Sequence, residues 1–299
     1  MRRDSAPIGN PSGWNPSGWN HWFCDRDGVP VMSWPPLDAL GVEAIVTTRD
    51  GGVSVGPYES LNLGLTVGDD PGNVVTNRSI AARLVGSSLD DLVLGDQVHA
   101  NRTAVVTGEH RGRGARDRRD ALGGTDALVT VDPGVVLAVL VADCVPIVLF
   151  DPAVPALGVV HAGWRGLVTG VIASAVAAMV DLGSDPSGVT AGIGPAASPK
   201  TYQVGNDVAT EIQRMLLVTP GSRCAGVAPE VVAQVMTPHG SDRWLLNLWE
   251  ASRTMLVYSG IHPENILVTD VATGGSGPFF SHRQHNPCGR FALLAKLRN

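Results

Sequence analysis

The amino-acid sequence predicts an α/β protein. Along most of the chain, short apolar runs typical of buried strands alternate with longer segments that have helical periodicity. The most apolar runs lie in residues 137–166, which predict two or three strands with polar residues only where each run stops. A chain of 299 residues is long enough for one large domain or two small ones, with ample core.

Composition and charge argue against several classes of function. The net charge of -6 and the pI near 5.7 disfavour a general nucleic-acid-binding surface. The longest apolar stretch, residues 135–150, is shorter than a bilayer span and contains Asp143 and Pro146, so we expect no membrane segment. The first residues contain no apolar signal segment and the four cysteines are widely scattered, which predicts a cytoplasmic protein with reduced thiols.

The N-terminal segment is predicted to lie outside the folded domain. The pentapeptide Pro-Ser-Gly-Trp-Asn occurs twice between residues 11 and 20, and a segment of this composition resists regular structure. We therefore expect a disordered, low-complexity tail at 1–40 and a folded domain at 41–299.

The elements of the domain are predicted from periodicity and from helix-end signals. Strands are expected at 42–48, 92–94, 103–107, 125–130, 189–193 and 266–269, besides those in 137–166, and helices at 74–85, 167–180, 205–217 and 246–259. Asp70 or Asn73 is the candidate N-cap of the first helix, because either side chain can accept a free backbone N–H. The arginine-rich segment 111–119 is interleaved with glycine and aspartate, which favours a solvated loop over a patch for a phosphate-bearing ligand.

Chemically active side chains occur where the central apolar runs stop. Asp143 and Cys144 interrupt the first run, His161 ends the last, and His99 lies upstream after a predicted strand. Two imidazoles and one thiolate are a known ligand set of catalytic zinc, which keeps its fourth position open. However, a buried cysteine and a strand-end histidine are also ordinary packing residues, and ligands 45 and 17 positions apart can meet only through the tertiary fold. The spacing alone leaves both interpretations open.

Several short motifs occur in a fixed order from about residue 44 to the C-terminus. They are Thr48-Arg49-Asp50-Gly51-Gly52-Val53-Ser54, Gly56-Pro57-Tyr58, Ser60-Leu61-Asn62-Leu63-Gly64, Val67-Gly68-Asp69-Asp70-Pro71, Gln97-Val98-His99, Asp126-Ala127-Leu128-Val129-Thr130, Ala142-Asp143-Cys144, His161-Ala162-Gly163-Trp164-Arg165-Gly166 and Ser281-His282-Arg283. In this order they resemble the YfiH family, also called the laccase-domain or multicopper polyphenol oxidase family. One departure is Ala272, a position where members often have a cysteine.

The resemblance implies a layered α/β/β/α arrangement with mixed sheets in a single catalytic domain. It also implies a zinc site whose ligands are His99, Cys144 and His161, with copper as the less favoured occupant. The family is associated with phosphorolysis of adenosine, inosine, guanosine and methylthioadenosine, and with deamination of adenosine. We therefore expect a monomeric or homodimeric enzyme that acts on purine nucleosides and phosphate.

Further residues have expected roles in this chemistry. Asp143 is the candidate acid–base group for deamination, in which zinc-activated water displaces ammonia from adenine; alternatively, it orients an imidazole. Arg165, at the start of a predicted helix, is the candidate phosphate-binding residue, and Arg49 and Arg283 are further candidates. The polar residues expected to hold the base or the ribose are Asn62, Gln97 and Ser281.

Three alternative functions are compatible with the same residues. A metal-free cysteine hydrolase would use Cys144 as the nucleophile and His161 as the base. A copper polyphenol oxidase fits less well, because none of the eight histidines belongs to a His-x-His pair of the kind typical of multicopper centres. A non-enzymatic module would bind purines without turning them over. Metal content and reaction products distinguish these functions.

Overall fold

The computed structural model describes residues 22–217 and 229–298, so the repeats of the predicted tail lie outside the described residues. Part of that predicted tail is ordered as β1 (Trp22–Arg26), β2 (Val29–Ser33) and α1 (Pro35–Ala39). The predicted domain boundary at residue 41 is therefore wrong. β2 pairs with the first predicted strand, β3 (Val42–Thr47), and Val31 and Met32 of β2 are fully buried, so this segment is part of the core.

The described residues form two six-stranded sheets and one three-stranded sheet. The first sheet contains, in spatial order, β1, β2, β3, β15 (Phe291–Leu297), β7 (Val136–Val141) and β4 (Leu92–Leu94). The second contains β14 (Ile266–Val268), β10 (Thr190–Ile193), β8 (Val145–Asp151), β9 (Ala156–Ala162), β6 (Ala127–Thr130) and β5 (Thr103–Val105). The small sheet joins β11 (Gln203–Gly205), β13 (Arg243–Leu246) and β12 (Met236–Pro238).

Both large sheets are mixed, as the resemblance implied. Parallel pairs join β4 to β7, β5 to β6 and β10 to β14, whereas β8 and β9, for example, are antiparallel. The chain crosses from the first sheet to the second between β4 and β5, and again between β7 and β8. These two crossovers carry two of the three predicted metal ligands.

The helices lie on the outer faces of the two sheets. They are α2 (Pro71–Leu84), α3 (Trp164–Thr169), α4 (Val171–Asp181), α5 (Asn206–Leu217), α6 (Pro229–Val235) and α7 (Leu248–Tyr258). α2 packs through Leu84 on the first sheet. α3, α4 and α7 pack on the second, and α5 and α6 pack on the small sheet and the neighbouring helices. Residues such as Leu137 and Val159 fill the space between the sheets. The layer order is α/β/β/α, which confirms the predicted fold class.

The central apolar segment forms three strands, β7, β8 and β9. All residues of β8 and β9 are buried, because β9 and β8 lie inside a sheet that is covered on both faces. The single helix predicted at 167–180 is instead two helices, α3 and α4. Gly170 separates them with a left-handed φ of +89°, a conformation that glycine adopts without steric cost.

The arginines of the segment 111–119 are exposed, although Gly114 and Ala115 are buried, and aspartates neutralise most of their charge. Arg111 pairs with Asp91, Arg116 with Asp90 and Arg118 with Asp96. These pairs agree with a solvated segment rather than with an exposed basic patch.

Within the described ranges, no helix is both long enough and apolar enough to cross a membrane.

Candidate metal centre

Three separate segments bring the predicted ligands to one place. His99 lies in the loop between β4 and β5, Cys144 in the turn between β7 and β8, and His161 on β9. One ligand atom from each residue lies within 4.8 Å of those of the other two. The fold therefore joins, at the edge where the chain crosses between sheets, side chains that are far apart in sequence.

The three side chains have the geometry of an ion-binding set. His99 Nε2 lies 3.7 Å from Cys144 Sγ, and the two imidazole rings meet edge to face with centroids 4.7 Å apart. His161 is buried, Cys144 is half-buried and His99 is exposed. The set is thus anchored in the core on one side and open to solvent on the other, as a catalytic metal site requires.

Asp126 holds two of the three ligands and was not predicted. Its carboxylate lies 2.8 Å from His161 Nδ1 and accepts the backbone N–H groups of Val98, His99 and Ala100 at 3.2, 3.0 and 2.8 Å. Since Nδ1 is engaged by Asp126, Nε2 is the nitrogen that remains for a metal. The one sequence signal of this role was a carboxylate at the start of an otherwise apolar strand.

Backbone conformations around the ligands are unusual. His99 has a φ of +61° and Asp143, which precedes Cys144, has a φ of +89°, both in the left-handed region that non-glycine residues rarely adopt. Gly163 is required for another reason, because a Cβ atom there would lie 2.8 Å from Cys144 Sγ and 3.0 Å from His99 Cδ2. The chain thus leaves room for the ligands at a position where any side chain would collide with them.

The thiol and the buried imidazole shift each other's protonation. Burial raises the pKa of Cys144, but the charge of His161 and hydrogen bonds from His161 and His99 outweigh this effect and lower the pKa to about 6. Burial likewise lowers the pKa of His161, but the Cys144 thiolate and the Asp126 carboxylate outweigh it and raise the pKa to about 9. At neutral pH the pair is a thiolate facing an imidazolium. The thiolate is the form of cysteine that binds metal.

A cavity of about 470 Å³ opens beside the three ligands. Of the other predicted site residues, Asp143, Arg165, Gln97 and Arg283 line it. Gln97 exchanges two hydrogen bonds of 2.8 Å with the backbone of Leu140, so its side chain extends the wall formed by β7. The volume lies within the range of small-molecule sites.

Three predicted substrate-binding residues do not line this cavity. Asn62 is fully buried, where it accepts the backbone N–H of Arg290 and donates to Asp69. Arg49 donates to the carbonyl of Glu59 and stacks on Phe280. Ser281 is buried and donates to Asp143. These side chains hold loops together, and the structure brings none of them to the site surface.

Asp143 is a fixed acceptor of hydrogen bonds. It accepts the hydroxyl protons of Thr273 at 2.5 Å and Ser281 at 2.6 Å, and the backbone N–H of Arg283 at 2.6 Å. The alternative role expected for it, orienting an imidazole, belongs to Asp126. Asp143 instead ties the loop that contains Thr273, Ser281 and Arg283 to the turn that carries Cys144.

Other residues of the cavity were not predicted. Tyr202 and Trp164 supply aromatic faces, on which Arg283 and Arg165 stack at 4.6 and 4.4 Å. His282 also lines the cavity. His282 and Trp164 lie within the family motifs, but no sequence pattern indicated that they line the cavity.

The chain is similar to known proteins in both sequence and structure. The family model described as "Multi-copper polyphenol oxidoreductase laccase" matches residues 43–298. The chain is 36% identical over 258 residues to the "Purine nucleoside phosphorylase YlmD" of Bacillus subtilis, and the matched region covers 85% of this chain and 88% of that protein. It is 37% identical over 246 residues to the "Purine nucleoside phosphorylase SCO2081" of Streptomyces coelicolor, and the matched region covers 82% of this chain and 91% of that protein.

The structural similarity extends over nearly the whole chain. The crystal structure of the hypothetical protein YfiH from Bacillus licheniformis aligns with a TM-score of 0.83 at 33% identity, covering 92% of this chain and 99% of that one. The crystal structure of YlmD from Geobacillus stearothermophilus also aligns with a TM-score of 0.83, at 34% identity, covering 93% of this chain and 99% of that one.

Proposed function

This chain belongs to the multi-copper polyphenol oxidoreductase laccase family, and from that membership we propose that it is a zinc-dependent purine nucleoside enzyme. Its proposed reactions are phosphorolysis of adenosine, inosine, guanosine and methylthioadenosine, and deamination of adenosine. The observation that carries the proposal is the convergence of His99, Cys144 and His161 beside one cavity. The relatives named purine nucleoside phosphorylase support an enzyme of this kind.

The donor set fits zinc. Two imidazole nitrogens and one thiolate form a known three-ligand site with an open fourth position, and the Asp126 carboxylate behind His161 is the outer partner that such ligands usually have. When bound, zinc supplies Lewis acidity that activates water or polarises a substrate oxygen. Of the proposed ligands, Cys144 is already a thiolate at neutral pH, whereas His161 must release a proton when the ion binds.

Arg165 is the proposed phosphate-binding residue. Its guanidinium lines the cavity and stacks on Trp164, and among the described residues it forms no ion pair, so its N–H groups are available to a dianion. Arg283 and Arg290 also line the cavity, with donors engaged by the backbone carbonyls of Gln203 and Cys288. Their charges add to a positive potential that favours phosphate.

The purine and its ribose are proposed to occupy the remaining cavity. Tyr202, Trp164 and Leu140, which line the cavity, supply apolar surface that suits a flat heterocycle. Gln97 contributes to the wall beside them. The cavity therefore combines an apolar surface for a base with cationic groups for an anion, next to the metal ligands.

A metal-free cysteine hydrolase is the second candidate, because Cys144 and His161 form a thiolate–imidazolium pair. His99 argues against it, since a nucleophile and a base do not require a third donor 3.7 Å from the sulfur.

A multicopper oxidase is less favoured still. In the described part of the chain, the three ligands are the single cluster of metal-binding side chains, which suits one ion.

Metal analysis and product analysis together test the proposal. Protein purified without added metal is expected to contain one equivalent of zinc, to convert adenosine and phosphate to adenine and ribose-1-phosphate, and to form inosine by deamination. Cys144→Ser should lose zinc and both activities, whereas Cys24→Ser, at a half-buried free thiol elsewhere, should lose neither.

Other outcomes would contradict the proposal in distinct ways. Stoichiometric copper would support the oxidase, and hydrolysis by metal-free protein would support the cysteine hydrolase. Tight nucleoside binding without any product would support a binding module.

A further inference from the structure

Phosphorolysis of a purine nucleoside needs an acid as well as a phosphate site. When the bond between C1′ and N9 breaks, its electron pair moves onto the purine, and a proton delivered to N7 stabilises the departing base. We propose that His282 is the general acid that delivers this proton. This inference rests on the proposed function and assigns one further residue to it.

The other titratable side chains of the cavity are already engaged. The three proposed ligands are committed to the metal. Asp96 accepts a hydrogen bond from Arg118 Nε at 2.6 Å, and both carboxylate oxygens of Asp143 accept hydrogen bonds. Burial and the negative charges of Cys144 and Asp143 raise the pKa of Tyr202 to about 12, which makes its phenol a weak acid. Arginine side chains do not release a proton.

His282 differs from all of these groups. It is exposed and lines the cavity, and within the described ranges its ring makes no hydrogen bond or ion pair. Histidine is the side chain most often used for proton transfer near neutral pH, because its imidazole exchanges a proton in that range. Its ring is therefore available to a substrate atom.

Asp143 fixes the backbone on both sides of His282. Ser281 Oγ donates to one oxygen of the Asp143 carboxylate and the Arg283 backbone N–H donates to the other, each at 2.6 Å. Because Asp143 directly precedes Cys144, the same carboxylate ties this loop to the metal centre. The backbone of residue 282 is thus held on both sides while its side chain stays free at the cavity. Such an arrangement suits an acid that must reach a defined substrate atom.

The proposed step conserves atoms and charge. An oxygen of monohydrogen phosphate forms a bond to C1′, the bond from C1′ to N9 breaks, and the His282 imidazolium gives its proton to N7. The products are the neutral purine and ribose-1-phosphate. The imidazole then regains a proton from the product phosphate group or from solvent.

A nucleoside methylated at N7 distinguishes a general acid at His282 from a residue with any other role. Its purine already carries the positive charge that protonation would supply, so its phosphorolysis needs no acid. We expect His282→Gln to lower kcat for inosine by about 10²- to 10⁴-fold, the usual contribution of general acid catalysis, and to leave 7-methylinosine nearly unaffected. His285→Gln is the matched control, because His285 is exposed in the same loop but does not line the cavity. It should change neither rate.

Several results would overturn the assignment. Full activity of H282Q on inosine, or an equal loss on both substrates, would show that His282 does not act as the acid. A loss of zinc or of thermal stability in H282Q would instead make its role structural. If the wild-type protein cleaves neither nucleoside, the proposed function itself is wrong, and this outcome is distinct from a failure of the variant alone.

Discussion

Asp126 links the position of one ligand to the orientation of another. Its buried carboxylate holds the backbone from Val98 to Ala100 and the ring of His161 at the same time. A carboxylate behind a metal-bound imidazole fixes the ring and increases its basicity. This single side chain therefore determines both where His99 lies and which nitrogen His161 presents.

Asp126→Asn should weaken metal binding while preserving the fold. The amide keeps the size of the side chain but removes the negative charge that faces His161, and loss of such a partner typically costs about 10- to 100-fold in metal affinity. Competition with a chelator would measure the zinc affinity. Asp132→Asn is the control, since Asp132 also accepts backbone N–H groups, from Gly108 and Gly134, but does not line the cavity. Equal zinc affinities of D126N and the wild-type protein would contradict this role.

Secondary-structure elements begin and end where the chain supplies local partners for free backbone groups. α2 follows Asp70, whose carboxylate accepts the Asn73 N–H at 3.0 Å, and Pro71 occupies the first turn, where no N–H is needed. Of the two cap candidates indicated by sequence, the structure selects Asp70. The helix packs on the first sheet, so its stability is part of the stability of the domain.

Asp70→Ala should lower the free energy of unfolding by about 1 kcal/mol, the usual cost of removing an N-cap side chain. Urea denaturation would measure the change. Asp70→Asn retains an oxygen that can accept the same N–H and should be nearly neutral. Asn73→Ala should also have a small effect, because at this position only the backbone N–H takes part in the cap. Equal destabilisation by D70A and N73A would contradict the assignment of the cap.

The candidate metal centre joins both large sheets of the molecule. His99 and Cys144 lie where the chain leaves the first sheet, and His161 lies within the second. An ion bound by all three would connect segments that the unfolded chain holds far apart. Metal binding should therefore stabilise the folded state as a whole.

Zinc should raise Tm, and the rise should depend on pH. The ion competes with protons, because it needs the Cys144 thiolate and a neutral His161. The rise in Tm should therefore shrink as pH falls from about 9, where His161 gains a proton, and shrink more steeply below about 6, where Cys144 is also protonated. Thermal unfolding with and without zinc across this range would measure it. Cys144→Ser should show no such rise, and a wild-type shift independent of pH would contradict the proposed ligands.

The amino-acid sequence by itself determined those features that depend on neighbours in the chain. Periodicity and end signals located β3, β4, β10 and α2 close to their observed bounds, and predicted two or three strands where β7, β8 and β9 lie, because strand alternation, helix periodicity and capping are local properties. The ordered motifs also determined the family and indicated the proposed ligand set. Neither result required knowledge of which segments pack together.

Only the tertiary structure decided which distant residues meet. β15 lies inside the first sheet between β3 and β7, yet its pairing partners are too far away in sequence for any local pattern to indicate them. Asn62 became a buried acceptor for Arg290, and Asp126 rather than Asp143 took the place behind His161. A polar side chain has the same local signature whether it faces a loop, a ligand or solvent, because its partners are set by packing between segments remote along the chain.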